Sequence, residues 1–176
     1  RFITALYQQH VSQLYLDHRD KLPGVFDRFA DVRSHDGSSW AIDDLLSNLY
    51  PGRFTKVSPA AIELHATFSL KTLSYQKLVM APDKQSEHDF IPEGESGVLY
   101  LLDRGYVNVP KLERMTALGG YYIVRSKTNC NPLITAVNGG SPFQNRSRVG
   151  KKFKHKPLKK GKDYDFQVQM KAGDGQ

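Results

Sequence analysis

The feature that most constrains the fold is an apolar run, Val98–Leu102, that stops abruptly at Asp103. Five apolar residues bounded by residues that break regular structure are typical of a strand buried on both faces. The acid is followed by Arg104, Gly105 and Tyr106. In open α/β sheets, ligands bind at the carboxyl ends of the strands. The run therefore predicts an α/β protein with a functional carboxylate at one edge of its sheet.

A second acid, Asp36, comes at the end of another predicted extended segment, residues 31–36. If Asp36 and Asp103 end neighbouring parallel strands, their carboxylates converge on one divalent ion. Mg²⁺ takes one or two protein carboxylates and completes its octahedron with water and phosphate oxygens. Asp43 and Asp44 are rivals of Asp36, although the first turn of a predicted helix favours acids there. The other interpretation is that Asp36 and Asp103 each cap a turn or a helix.

Hydrophobic periodicity predicts the remaining elements. Apolar residues at helical spacing predict one helix over residues 42–50, capped by Ser38 or Ser39, and a second helix that Asn108 caps. The segment 61–70 alternates between apolar and polar residues, as a half-covered strand does, and pairs with the next strand as a hairpin. Strands are expected over 31–36, 61–70, 77–80, 98–102 and 121–125. This order predicts a mixed sheet with helices on its faces.

The positive charge is concentrated in one part of the chain. The net charge is +7, but the segment from Arg146 to Lys162 contains nine cations and no acid, which leaves 16 cations against 18 acids elsewhere. After Asn129 the composition shifts to Gly, Asn, Ser, Pro and Lys, and Tyr164–Met170 then alternates like one more strand. A basic segment with an embedded aromatic is typical of a nucleic-acid contact. The alternative is a solvated loop without a partner.

Several classes of protein are excluded. No apolar run approaches the ~20 residues of a membrane span, and no signal for secretion opens the chain. Cys130 is the only cysteine, so an intrachain disulfide and a cysteine-rich zinc site are excluded. The six histidines lack metal-binding spacing, and no phosphate-binding Gly-x₄-Gly-Lys-Ser/Thr loop is present. We expect an intracellular protein without a membrane partner. The start at Arg1, without Met, suggests a fragment or a processed chain.

An ordered set of motifs resembles a known family over about residues 30–130. The motifs are Asp36-Gly37-Ser38, the alternating segment Ile62–Phe68, the segment Leu102–Tyr106, and Tyr122–Lys127 with its Arg-x-Lys ending. They resemble DDE-type transposases of bacterial insertion sequences, in the group named after insertion sequence four. The resemblance implies a ribonuclease-H-like core with the first and fourth strands side by side. It also implies a three-acid site for Mg²⁺ or Mn²⁺, in which Asp36 and Asp103 are the first two acids.

The implied activity is DNA cleavage and strand transfer at transposon ends. Arg125 and Lys127 match a basic pair that faces DNA in this family, and a β-rich insertion usually follows that pair. Apolar residues at helical spacing predict a helical lead-in over residues 1–30. The resemblance implies a first part of the catalytic core over 31–128 and the start of the insertion over 129–176. It also implies a homodimer on DNA in the bacterial cytoplasm, associated with the nucleoid. The residues expected to contact DNA are Arg104, Arg125, Lys127, Arg146, Arg148, Lys151, Lys152 and Lys154.

The chain departs from the family pattern in one respect. The third acid belongs to a Tyr-x₂-Arg-x₃-Glu-x₆-Lys helix, and this motif is missing. The acids after Asp103 are Glu113, Asp163, Asp165 and Asp174, and none lies in such a motif. We therefore predict that the 176-residue chain alone is catalytically inactive, as a fragment of a longer transposase or the product of a decayed element. The alternatives are a basic DNA-binding fragment without sequence preference, another ribonuclease-H-like nuclease acting on RNA, and an α+β scaffold with capping aspartates.

Overall fold

The structure, a computed structural model, describes residues 22–126, 129–138, 147–155 and 164–170. Its strands are β1 Asp31–Ala41, β2 Ala61–Ser69, β3 Ser74–Pro82, β4 Val98–Leu102, β5 Tyr121–Val124, β6 Leu133–Val137 and β7 Phe166–Gln169, and its α-helix is α1 Val109–Ala117. Short 3-10 turns span Gly24–Phe26, Asp44–Leu46, Glu87–Phe90, Arg104–Tyr106 and Phe153–His155. The chain divides into two compact units. Among the described residues, the first unit contains 22–106 and 111–125, and the second contains 107–110 and the residues from 126 onward.

The first unit contains a mixed five-stranded sheet in the order β3-β2-β1-β4-β5. The pairs β1–β2 and β2–β3 are antiparallel, whereas β1–β4 and β4–β5 are parallel. A parallel pair needs a crossover connection, which α1 supplies between β4 and β5. This arrangement confirms the predicted α/β class and is consistent with a ribonuclease-H-like fold. Strand β4 has the bounds predicted from its apolar run.

One face of the sheet, the covered face, packs against α1. Val98, Tyr100 and Leu102 on β4 form a buried cluster with Leu112 and Met115 on the helix. Burial of these side chains supplies the main hydrophobic stabilisation of this unit. The helix ends in a Schellman-type turn, in which the N–H of Gly120 donates to the carbonyl of Met115. Gly119 takes a φ of +81° at that turn, a backbone conformation that favours glycine.

On the opposite side of the sheet, the open face, the described residues form a buried apolar cluster near the start of β1. There Val32 and Leu99 pack with Phe29, and Leu22, Phe26, Leu70 and Leu101 border this cluster. Farther along, the strand register aligns Asp36 with Ala66 and Ala66 with Leu78. The next row on the same face aligns Ser38, Leu64 and Met80. Leu78 and Met80 are more than half exposed.

Strand β2 turns its polar side toward the covered face. Glu63, His65, Thr67 and Ser69 are all buried, whereas the apolar residues between them are only partly buried. The predicted alternation of the strand is therefore confirmed, and its polar side chains face inward. Burying such groups is unfavourable unless they find partners, so this row is a candidate for a role other than packing.

The helix predicted over residues 42–50 is wrong. Strand β1 does not end at Asp36 but continues to Ala41, paired with β2 throughout. Only a 3-10 turn, Asp44–Leu46, follows it, and the Asp43 side chain rather than Ser38 or Ser39 caps that turn. Leu45 and Leu49 are mostly exposed, so the apolar stripe has no surface to pack against among the described residues. A short helical pattern that packing does not support is not stable enough to form a helix by itself.

The second unit contains an antiparallel pair, β6 and β7, in which Ile134 aligns with Val168. The predicted strand near the end of the chain corresponds to β7, and β6 was not predicted. Most of the predicted lead-in over 1–30 lies outside the described residues, and its described part contains the turn Gly24–Phe26. In the described parts of the chain, no helix is both long and apolar enough to cross a membrane.

Candidate functional site

The parallel pairing of β1 and β4 brings the two predicted acids together. The register aligns Asp31 with Val98 and runs on to His35 opposite Leu102. Asp36 is the next residue on β1, and Asp103 is the next residue after β4. Neighbouring strands lie ≈ 4.8 Å apart, so the two acids occupy adjacent positions in the fold. The prediction that the strands preceding or carrying these acids are parallel neighbours is confirmed for β1 and β4.

Asp36 lies within β1 rather than at its end, which corrects the predicted boundary. It pairs with Ala66 on β2 on one side, while β4 has already ended on the other. Its carboxylate is exposed and accepts a hydrogen bond of 2.9 Å from the N–H of Gly37. Asp36 therefore lies where the sheet opens beside β1, the kind of position at which α/β sheets bind ligands.

Asp103 is an exposed carboxylate held by two cationic neighbours. Its Oδ1 lies 2.7 Å from Nη2 of Arg125, the residue directly after β5. A hydrogen bond from the backbone N–H of Arg104 holds the pKa of Asp103 below its usual range, and the Arg125 guanidinium adds to this effect. The carboxylate is therefore ionised at neutral pH, as a ligand for a divalent cation must be.

The covered face contains a buried polar cluster. This cluster lies close to the segments that carry the two acids. His35 Nδ1 is 2.9 Å from Oγ1 of Thr67, and its ring meets Tyr106 edge-on at 4.8 Å. The ring of His65 stacks on Phe90 at 3.7 Å. Burial lowers the pKa values of both histidines and raises that of Glu63. Burial and the surrounding carboxylates also raise the pKa of Tyr106, so its hydroxyl stays protonated.

Arg53 ties the segment after β1 to the ends of β2 and β3. Its guanidinium lies 3.2 Å from Oε2 of Glu63 and 3.2 Å from Oε1 of Glu87. Its backbone N–H donates to Asp83, whose carboxylate also accepts a 2.5 Å hydrogen bond from Ser39. Sequence reasoning missed this network because it joins residues far apart in the chain. The one available signal was the placement of Glu63 and His65 on the polar side of β2.

The predicted DNA-contacting residues fall into three groups. Arg104 and Arg125 are exposed and flank Asp103 in the first unit. Lys151, Lys152 and Lys154 are exposed in the second unit, in which Arg148 is buried with only 8% of its surface accessible. Lys127 and Arg146 lie outside the described residues. The structure thus brings two predicted cations next to a predicted metal ligand.

The donor set fits a hard divalent cation. Asp36 and Asp103 offer exposed carboxylate oxygens on adjacent chain segments, and Mg²⁺ needs only one or two such ligands from the protein. Three or more His, Cys, Asp or Glu side chains grouped for metal binding do not occur among the described residues. Asp36 and Asp103 are therefore the two candidate carboxylates of this site among the described residues.

Comparison with known proteins agrees with this geometry. Residues 27–167 match the family model described as the transposase DDE domain. The chain belongs to the DDE transposase domain family. The matched region contains both acids and extends into the second unit. The predicted resemblance is therefore confirmed at the level of the family.

Individual relatives are also transposases. The chain is 25% identical over 137 residues, 76% of its length, to the transposase for insertion sequence element IS231F of Bacillus thuringiensis subsp. israelensis. It is 28% identical over 105 residues, 57% of its length, to the transposase for element IS231B of subsp. berliner. These matches cover 28% and 22% of the relatives, so the chain spans about a quarter of their length. No solved structure matches the chain.

Proposed function

We propose that this DDE transposase domain uses Asp36 and Asp103 to hold Mg²⁺ or Mn²⁺ for phosphoryl transfer on DNA. The parallel β1–β4 register carries this proposal, since it makes the two acids neighbours at the point where the sheet opens. When bound, the metal supplies activation of the attacking oxygen and stabilisation of the leaving oxygen. The low pKa of Asp103 keeps this ligand ionised, and the exposure of Asp36 leaves its carboxylate accessible.

Arg104 and Arg125 orient the substrate in this proposal. Both lie next to Asp103, where their positive charges attract the phosphates of DNA toward the carboxylates. Arg125 also fixes the Asp103 side chain through its 2.7 Å contact. Lys127 is the second member of the predicted basic pair and lies outside the described residues.

The basic part of the second unit supplies further DNA contacts. Lys151, Lys152 and Lys154 are exposed, and the predicted contact residue Arg146 belongs to the same basic segment. Arg148 remains a predicted contact but is buried, so it must reach DNA after a rearrangement or support its neighbours. In this proposal residues 129–176 begin a β-rich insertion that follows a core over residues 31–128.

The longer protein is proposed to cut and join DNA at transposon ends, as a member of the insertion-sequence-four-like group. The relatives described above are transposases of insertion sequence elements. A homodimer in the bacterial cytoplasm, associated with the nucleoid, follows from the same resemblance. The 176-residue chain alone provides two of three acids, and we expect it to be inactive. Cleavage of transposon-end DNA by this chain with Mn²⁺ would contradict that expectation.

Metal-dependent DNA binding tests the proposed site. We expect Mn²⁺ to strengthen DNA binding by the wild-type chain, and Asp36→Asn or Asp103→Asn to weaken Mn²⁺ affinity by about tenfold or more, because each removes a charged ligand. Asp44→Asn is the matched control, since it removes an exposed acid from the turn after β1. Isothermal titration and fluorescence anisotropy measure the two affinities.

The alternative function is a basic fragment that binds DNA without sequence preference and without a metal. The cluster of nine cations between Arg146 and Lys162 favours this alternative. It predicts that DNA affinity falls steeply as the salt concentration rises, because many cations contact the phosphates. It also predicts that both Asp→Asn variants bind DNA as tightly as the wild type, with or without Mn²⁺. That result would replace the metal-site proposal.

A further inference from the structure

Tyr106 contacts both segments that carry the proposed metal ligands. Its backbone N–H donates a 3.1 Å hydrogen bond to the carbonyl of Asp103. Its ring packs edge-on against His35, the residue directly before Asp36. Its hydroxyl reaches Gly37, the residue directly after Asp36, as the geometry at that glycine shows. The Tyr106 side chain thus contacts both neighbours of Asp36, and the Tyr106 backbone is hydrogen-bonded to Asp103.

Position 37 needs a glycine because its surroundings leave no room for a side chain, and not because of its backbone conformation. Its φ is not among the positive values of the described residues. A Cβ at this position would lie 3.0 Å from the Tyr106 hydroxyl, 2.6 Å from Oε1 of Glu63 and 3.1 Å from Nδ1 of His65. The Tyr106 hydroxyl therefore occupies part of the space that a larger residue at position 37 would need, and Oε1 of Glu63 and Nδ1 of His65 occupy the rest.

Stability does not account for the Tyr106 hydroxyl. The residue is 2% exposed, and its hydroxyl has no hydrogen-bond partner among the described residues. A buried hydroxyl without a partner is unfavourable, and phenylalanine would keep the ring contacts without that disadvantage. Groups of this kind occur where a structure is shaped for function rather than for maximal stability.

We infer that Tyr106 is a positioning residue, whose hydroxyl fits against Gly37 and fixes the spacing between Asp36 and Asp103. It is not a ligand itself, because it lies on the covered face whereas Asp36 points to the open face. The inference rests on the proposed function in so far as the spacing serves metal binding. The spacing itself is measurable without a metal.

A double-mutant cycle tests the contact through Mn²⁺ affinity. We expect Tyr106→Phe to weaken binding about threefold and Gly37→Ala about tenfold, as for other groups that orient ligands from outside the coordination shell. In the double variant, removal of the hydroxyl relieves one of the three close contacts of the new methyl group, so its loss should fall below the thirtyfold of independent effects. Tyr121→Phe, on the exposed edge strand β5, is the matched control. Thermal unfolding confirms that each variant is folded.

A crosslinking measurement reports the spacing directly. In a Cys130→Ser background, Asp36→Cys and Asp103→Cys place two thiols on adjacent segments, within the reach of a disulfide. We expect Tyr106→Phe and Gly37→Ala to slow disulfide formation in glutathione buffer by several fold, and Tyr121→Phe to leave the rate unchanged. Unchanged rates in both test variants would overturn the positioning role. A changed crosslinking rate without Mn²⁺ binding by the wild-type chain would instead uphold the positioning role and reject the proposed metal site.

Discussion

Around β2 and β3, the two faces of the central sheet differ in the kind of side chain that they bury and expose. The covered face buries polar residues, among them His35, Glu63 and His65, under α1 and the turn Glu87–Phe90. The open face instead exposes apolar residues such as Leu78 and Met80 around Asp36. An ordinary half-covered sheet buries apolar residues on its covered face and exposes polar residues on its open face. The difference indicates that the covered face near Asp36 is organised to support a site, and that the open face around Leu78 and Met80 carries little of the stability of this unit.

The largest expected difference between the faces concerns stability. Met115→Ala removes a fully buried side chain from the covered cluster and should lower the free energy of unfolding by about 2–5 kcal/mol. Met80→Ala makes the same chemical change on the open face, where the side chain is 57% exposed, and should cost less than about 1 kcal/mol. Urea denaturation measures both values. Equal losses would show that the open face is packed as tightly as the covered one.

The pH dependence of stability should report His35. Burial lowers the pKa of His35 in the folded chain from its ordinary value of 6.5 to about 4. Between pH 6.5 and pH 4, His35 is therefore protonated in the unfolded chain but neutral in the folded chain. Stability therefore falls as the pH falls through this interval, by about 2–3 kcal/mol from this group. Glu63 acts in the opposite sense, because its raised pKa favours the folded state at low pH.

A variant separates these two contributions. His35→Asn keeps a polar atom near Thr67 and removes the titrating ring, so its unfolding free energy should decline less than that of the wild type between pH 6.5 and 4. Chemical denaturation in EDTA at several pH values gives the comparison without bound metal. Parallel curves for the two proteins would mean that His35 is not the buried neutral group described here.

The smallest expected effect compares two arginine–carboxylate pairs. Arg53→Gln leaves the buried carboxylate of Glu63 without its partner and should cost about 1–2 kcal/mol, since the guanidinium itself is partly exposed. Arg125→Gln breaks an exposed pair with Asp103 and should cost less than about 1 kcal/mol of stability. The second variant should instead weaken DNA binding, which fluorescence anisotropy measures. A greater loss of stability from Arg125→Gln would reverse the assignment of structural and functional roles.

Sequence patterns correctly predicted the strands whose own residues show that they are buried, as in β4, or that alternate between two faces, as in β2. The five-residue apolar run gave β4 its observed bounds, and the alternation over residues 61–70 gave β2. The pattern over 42–50 failed because a helical stripe forms a helix only where another surface covers it. Pairing with β2 extended β1 instead, so Asp36 lies within the strand.

The parts of the candidate site that depend on distant contacts were not predictable. Asp36 and Asp103 were recognisable because each belongs to a short motif that the family shares. The contact of Tyr106 with Gly37 joins residues from different motifs, and the role of Arg53 depends on three carboxylates that only the fold assembles. Alternation showed that the polar residues of β2 share a face, but the fold decides that this face is buried.

The most direct test is to follow the backbone amides of Gly37 and Gly105 by NMR during a Mn²⁺ titration of the 176-residue chain. These amides lie one residue after Asp36 and two residues after Asp103. If the two acids share one ion, both signals broaden at the same Mn²⁺ concentration, and either Asp36→Asn or Asp103→Asn abolishes the broadening of both. Broadening at only one glycine, or broadening of both that survives the substitutions, would contradict a shared metal site.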